Sequence, residues 1–94
     1  MPPPNAVTKD RETPSDSDLR GAIMDLVQER GPDKTICPSE AARRVSSSWR
    51  PLMGRIRRVA MVLAKEGRVR IEKGGEPIEP DALVGPVRLR LRER

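Results

Sequence analysis

A chain of 94 residues with 19 Lys and Arg, 14 Asp and Glu, one cysteine and no histidine is narrowly bounded before any motif is read. The length allows one small domain. The missing histidine removes the commonest general base and metal ligand, and the lone Cys37 cannot close an internal disulfide. No apolar run approaches the about 18–20 residues of a membrane span, and the N-terminus lacks the apolar core of a secretory signal. A cytoplasmic, non-enzymatic protein without metal or cofactor is expected. Its core must be aliphatic, because Trp49 is the only aromatic residue.

Residues 1–15 are proline-rich and polar, which predicts a disordered tail ahead of a domain spanning residues 16–94. The first helix begins near Ser15–Asp18, where a serine can cap it and Asp16 and Asp18 meet the positive end of the dipole. Leu19, Ala22, Ile23, Leu26 and Val27 then form an apolar stripe that Gly31-Pro32 ends. Lys34-Thr35-Ile36 is a short extended piece. In the following CPSEAARRV, Pro38 suits the first helical position and Glu40 can reach back to the Cys37 amide. Ala41, Ala42 and Val45 give that helix a narrow apolar face, with Arg43 and Arg44 pointing away.

Ser46-Ser47-Ser48 makes a turn, and Ser48 is a candidate cap for a third helix running from Trp49 to Gly67. Pro51 is tolerated in its first turn. Leu52, Ile56, Val59, Ala60 and Leu63 fall on one side of this helix; Arg50, Gly54, Arg57, Arg58, Met61 and Lys65 fall on the other. The period then changes to 2. Val69 and Ile71 alternate with charged residues, as do Val87, Leu89 and Leu91 with Arg88, Arg90 and Arg92, so two strands are predicted to pair antiparallel. Lys73-Gly74-Gly75-Glu76 turns the chain, and Pro77–Pro86 is a loop pinned by Ile78, Leu83 and Val84.

Three helices followed by a β-hairpin, with an extended piece between helices 1 and 2, is the order of a winged helix-turn-helix, an α+β fold. The segments KTICPSEAARRV, WRPLMGRIRRVAMVLAKEGRVRIEKGG and IEPDALVGPVRLRL together resemble a bacterial family of short proteins known as a domain of unknown function. That resemblance spans residues 19–92 and implies a winged-helix-like fold; it brings no activity or site residue with it.

Charge directs the functional reading. Residues 43–73 hold Arg43, Arg44, Arg50, Arg55, Arg57, Arg58, Lys65, Arg68, Arg70 and Lys73 against only Glu66 and Glu72. Such an excess suits a polyanion, nucleic acid before anionic membrane and DNA before RNA. Arg50, Arg57, Arg58 and Lys65 on helix 3, with Arg43 and Arg44 on helix 2, are the candidate phosphate-binding residues. Asn and Gln, which read adenine, are absent from helix 3, and the wing carries Glu76, Glu79 and Asp81, so modest sequence selectivity is expected. The competing reading of any one charged face is a solvated surface, and for Arg88, Arg90 and Arg92 that reading is preferred.

A second functional class is a protein-interaction module. Trp49 with Met53 would form its docking cluster if exposed, whereas a buried Trp49 is a core plug. Cys37, at a helix N-terminus, is either a packed capping residue or a thiol of raised reactivity. Glu40, Glu66 and Glu72 have capping, helix-end and strand-surface explanations.

Overall fold

A computed structural model describes residues 14–82 and 85–92. The predicted tail up to residue 13, and the pinning roles of Leu83 and Val84, lie outside the described residues. In chain order the elements are α1 (Asp16–Arg30), β1 (Thr35–Ile36), α2 (Pro38–Val45), a 3-10 turn (Arg50–Leu52), α3 (Met53–Lys65), β2 (Val69–Lys73), β3 (Glu76–Pro77), a second 3-10 turn (Pro80–Ala82) and β4 (Arg88–Leu91). The strands form one antiparallel sheet in the order β1-β4-β2-β3. The architecture is α+β, three helices against this sheet.

Local chemistry explains where the helices start and stop. Ser15 Oγ accepts the Asp18 N–H at 3.1 Å while the Asp18 carboxylate accepts the Ser15 N–H at 3.0 Å, a reciprocal cap that satisfies two orphan donors of α1. At α2 the Glu40 carboxylate accepts the Cys37 N–H at 2.9 Å, the reach expected from its spacing. Helix α3 ends where the Arg68 N–H returns to the Leu63 carbonyl at 2.9 Å and the Gly67 N–H to the Ala64 carbonyl at 3.0 Å.

The start of α3 departs from the expectation. The chain enters through the 3-10 turn at Arg50–Leu52, and no side chain caps either segment. Ser48 does not cap: its N–H donates to Ser46 Oγ at 2.9 Å, so the turn between α2 and α3 is organised by Ser46. Pro51 has no N–H to give an α-helical bond, which suits the tighter turn.

The core lies between the helices and one face of the sheet. The predicted stripes Leu19, Ala22, Ile23, Leu26 and Val27 on α1 and Leu52, Ile56, Val59, Ala60 and Leu63 on α3 are all buried. They meet Ala41 and Ala42 from α2 and Ile36, Val69, Ile71, Val87 and Leu89 from the sheet side. No aromatic residue is fully buried among the described residues, so packing relies on interdigitated aliphatic side chains.

The hairpin has one more strand than predicted. Gly74 (φ 60°) and Gly75 (φ 85°) both take left-handed conformations, which permits a two-residue reversal joining β2 to β3. β2 and β4 pair antiparallel as expected, Val69 opposite Leu91 and Ile71 opposite Leu89. β4 in turn pairs with β1, which places Ile36 opposite Leu89 in the core.

The outer face of the sheet also corrects the expectation for Glu72 and Arg90, whereas Arg88 is exposed as expected. Glu72 is not a surface carboxylate; only 3% of it is exposed. Arg70 and Arg90 are direct cross-strand partners and Glu72 is the next residue on their face, so both guanidiniums converge on it. Arg90 Nε donates to it at 2.7 Å and Arg90 Nη2 at 3.2 Å, with Arg70 Nε at 3.3 Å. Arg90 Nη1 also donates to the Pro32 carbonyl at 2.9 Å, and Arg88 Nε to Thr35 Oγ1 at 3.0 Å. These arginines tie the sheet to the α1–β1 connection.

The Arg90 hydrogen bond, reinforced by Arg70, holds the Glu72 carboxyl below its ordinary value against the opposing effect of burial. A depressed folded-state pKa stabilises the fold above the unfolded pKa, and that contribution is lost as pH falls through the folded value. Wild-type stability, followed by urea unfolding, should therefore decline on acidification below about pH 4.3. Glu72→Gln should cost about 1.5–3 kcal/mol at neutral pH, the range for a hydrogen bond to a charged group, and flatten that decline.

Candidate nucleic-acid interface

The connection from α2 through the 3-10 turn into α3 positions a compact cationic cluster. Helix α2 ends at Val45, and the Ser46 N–H closes its last turn on the Ala42 carbonyl at 3.2 Å. Arg43 is therefore on the final turn of α2, while Trp49 and Arg50 open the next helical segment. The Leu52 N–H bonds to the Trp49 carbonyl at 2.9 Å, fixing Trp49 at the start of that segment. The guanidinium carbon of Arg43 lies 4.8 Å from the Trp49 ring centroid and that of Arg50 lies 4.6 Å from it. Both distances are within the range of a cation–π contact.

Trp49 is thus neither a core plug nor a bare docking residue. It is half-buried, packed against the edge of the core, and two cations lie over its ring. Met53, its suggested companion, is half-buried against the same core.

The candidate phosphate-binding residues divide into two groups. Arg43, Arg50 and Arg58 are exposed and make no ion pair with a carboxylate among the described residues. Arg44, Arg57 and Lys65 are engaged. Arg44 forms a two-pronged bond with Glu29 on α1, at 2.9 and 3.1 Å. That contact raises the Arg44 pKa and lowers that of Glu29, each hydrogen bond favouring the charged form. Arg57 donates to the Gly85 carbonyl, and Lys65 Nζ lies 3.0 Å from the Asp81 carboxylate. The acidic loop after β3 is thereby fastened along α3. Arg55, at the margin of the core stripe, pairs with Asp16 at 2.7 Å, joining α3 to the start of α1.

Sequence spacing gave the exposed ridge of α3 but not its sorting, because the partners Glu29, Asp81 and Gly85 come from other elements. It also missed Val62, a large apolar side chain that is 48% exposed on α3. A cleft of about 450 Å³ runs between the C-terminal end of α3, β2 and the Pro77–Asp81 segment. Its lining mixes Lys65, Arg70 and Arg92 with Glu79 and Asp81, a balance that does not favour either sign of ligand. Among the described residues no His, Cys, Asp and Glu side chains gather in a group of three or more able to hold a metal ion, and no helix is long and apolar enough to cross a membrane. Cys37 is partly buried and its Sγ accepts a hydrogen bond from Ser39 Oγ at 3.2 Å.

The cations over Trp49 carry an optical consequence. Iodide should quench its fluorescence more strongly than caesium at low ionic strength, because guanidiniums concentrate anions and repel cations near the ring. Arg43→Ala with Arg50→Ala should bring the two quenching constants together, which Stern–Volmer titration measures.

No similar sequence is found among curated proteins. Residues 16–92, from the first residue of α1 to just past β4, match the model of a protein family of unknown function, DUF3253, and the chain belongs to that family.

Proposed function

We propose that this chain is a winged helix-turn-helix protein that binds duplex DNA at the start of α3, mainly through phosphates and with modest sequence selectivity. The element order supports the fold. A strand between the first two helices pairs with the last strand; α2 and α3, joined by a short turn, stand where a helix-turn-helix would, and β2, β3 and β4 where its wing would. In such a fold the third helix enters the major groove, about 12 Å wide, and the preceding helix contacts the backbone.

The observation that carries the DNA reading is the uncompensated cluster at the α2–α3 turn. Arg43 and Arg50 are held over Trp49 with Arg58 further along the exposed side of α3, and none of the three meets a carboxylate among the described residues. Guanidiniums fixed on a rigid aromatic lose little entropy on meeting phosphate, and their forks suit two-pronged contacts. Arg44, Arg57 and Lys65, already bonded within the fold, contribute less. Without Asn or Gln on α3, base reading would rest on arginine to guanine, so backbone contacts should dominate.

The test is a salt titration of duplex binding. Each neutralised phosphate contributes about 0.9 to the log–log slope. Arg50→Ala with Arg58→Ala is expected to reduce the slope by about 1.8 and to weaken binding to unrelated sequences alike. Absence of micromolar binding by the wild-type protein at low salt overturns the proposal and returns the Trp49 cluster to the protein-docking class.

A further inference from the structure

The outer face of the sheet, directed away from the helices, carries an unusual run of like charge. Val69, Ile71, Val87 and Leu89 face the core, so their neighbours in the ladder face outward. Those outward positions are Glu72 opposite Arg88 and Arg70 opposite Arg90. The ladder continues one pair further, where the Arg92 N–H donates to the Arg68 carbonyl at 3.1 Å, placing Arg68 opposite Arg92. Two adjacent rows are thus arginine against arginine, and the β2–β4 ladder sets five guanidiniums against one carboxylate within it, that of Glu72; Arg70 and Arg92 also border the cleft that holds Glu79 and Asp81.

Like charges directly opposite each other across a sheet are destabilising, and a merely solvated face has no need to repeat them. The arrangement is also held in place. Glu72 sits beneath the guanidiniums of Arg70 and Arg90 with only 3% of its surface exposed. Arg90 is braced on the Pro32 carbonyl and Arg88 on Thr35. Arg68 and Arg92, both exposed, make no side-chain hydrogen bond or ion pair among the described residues. Successive rows lie about 6.6–6.8 Å apart along the strands, and opposed Cα atoms about 5.5 Å apart across them. The result is a two-column grid of positive charge on a rigid support.

We propose that this sheet face is a second nucleic-acid surface, which takes the phosphate backbone of a duplex separately from the start of α3. Charge complementarity selects the occupant. A protein partner would need a buried aromatic or aliphatic anchor, and an anionic membrane would need large apolar side chains to insert; beside the arginines and Glu72 the outward positions hold only Thr35, opposite Arg90, and Pro77, opposite Glu72. A phosphodiester backbone needs nothing but closely spaced cations. With two such surfaces, one chain touches two backbone segments, either of a single bent duplex or of two duplexes. The argument does not use Arg43, Arg50 or Arg58, so it stands or falls apart from the α3 reading.

The experiment compares full-length wild type, Arg68→Gln with Arg92→Gln, Arg50→Ala with Arg58→Ala, and the combined variant by salt titration on a short duplex. The sheet substitution is expected to lower the log–log slope by about 1.8, and by the same amount again in the α3-substituted background. Arg68→Lys with Arg92→Lys keeps the charge and should retain the wild-type slope, which separates loss of contact from loss of fold. An unchanged slope in Arg68→Gln with Arg92→Gln overturns the sheet proposal while leaving the α3 reading intact. A loss confined to the sheet variants sustains it and sinks the α3 reading. Binding to phosphatidylserine vesicles that depends on Arg68 and Arg92, with no effect of those residues on duplex binding, also overturns it.

Discussion

Everything in this fold depends on filling one core without large rings. With no phenylalanine or tyrosine in the chain, each element must contribute branched aliphatic side chains at the right height, and none can be spared. Leu19, Ile23 and Val27 from α1 meet Ile56 and Leu63 from α3 and Ile71 and Leu89 from the sheet, all essentially inaccessible to solvent. Even the two-residue strand β1 is part of this economy, because its pairing with β4 drives Ile36 into the centre. A domain of this size buries little surface per residue, so the aliphatic contacts and not the exposed ion pairs set its stability.

Given that core, the remaining physical problem is where to put so many arginines. Helix α1 acts as the acceptor for its neighbours. Asp16 takes Arg55 from α3, Glu29 takes Arg44 from α2, and Arg20 reverses the pattern by bonding Glu66 just beyond α3 at 2.6 Å. Arg30 completes the set through Glu40. These exposed pairs contribute little energy each, but they decide which cations are neutralised. What is left over is spatially ordered: the cluster around Trp49 at the α2–α3 turn, and the columns on the outer sheet face.

Periodicity made most of the fold legible. The stripes on α1 and α3 and the alternation in β2 and β4 each specify one buried face, and every residue of both helical stripes is in the core. Capping chemistry was legible too, in Ser15 with Asp18 and in Glu40 with the Cys37 amide. Side chains whose partners come from distant segments were not. Glu72 reads as a surface residue in its own strand, and only the register with β4 brings Arg90 onto it. The same limit explains why Arg44, Arg57 and Lys65 read as available cations: periodicity gives a direction, but neutralisation needs a partner from another element. Ser48 has a capping residue's chemistry but does not cap, because the 3-10 turn places the start of α3 several residues further on.

That displaced start has a dynamic consequence. Helix α3 begins with no acidic residue in its first turn and no side chain closing its first amides, while its far end is sealed by the bonds that return from Gly67 and Arg68. Opening at the start therefore breaks fewer constraints than opening at the end, and amide exchange should slow from Met53 toward Leu63. The 3-10 turn that carries Arg50, with Trp49 just ahead of it, therefore joins α3 at the end closed by fewer bonds.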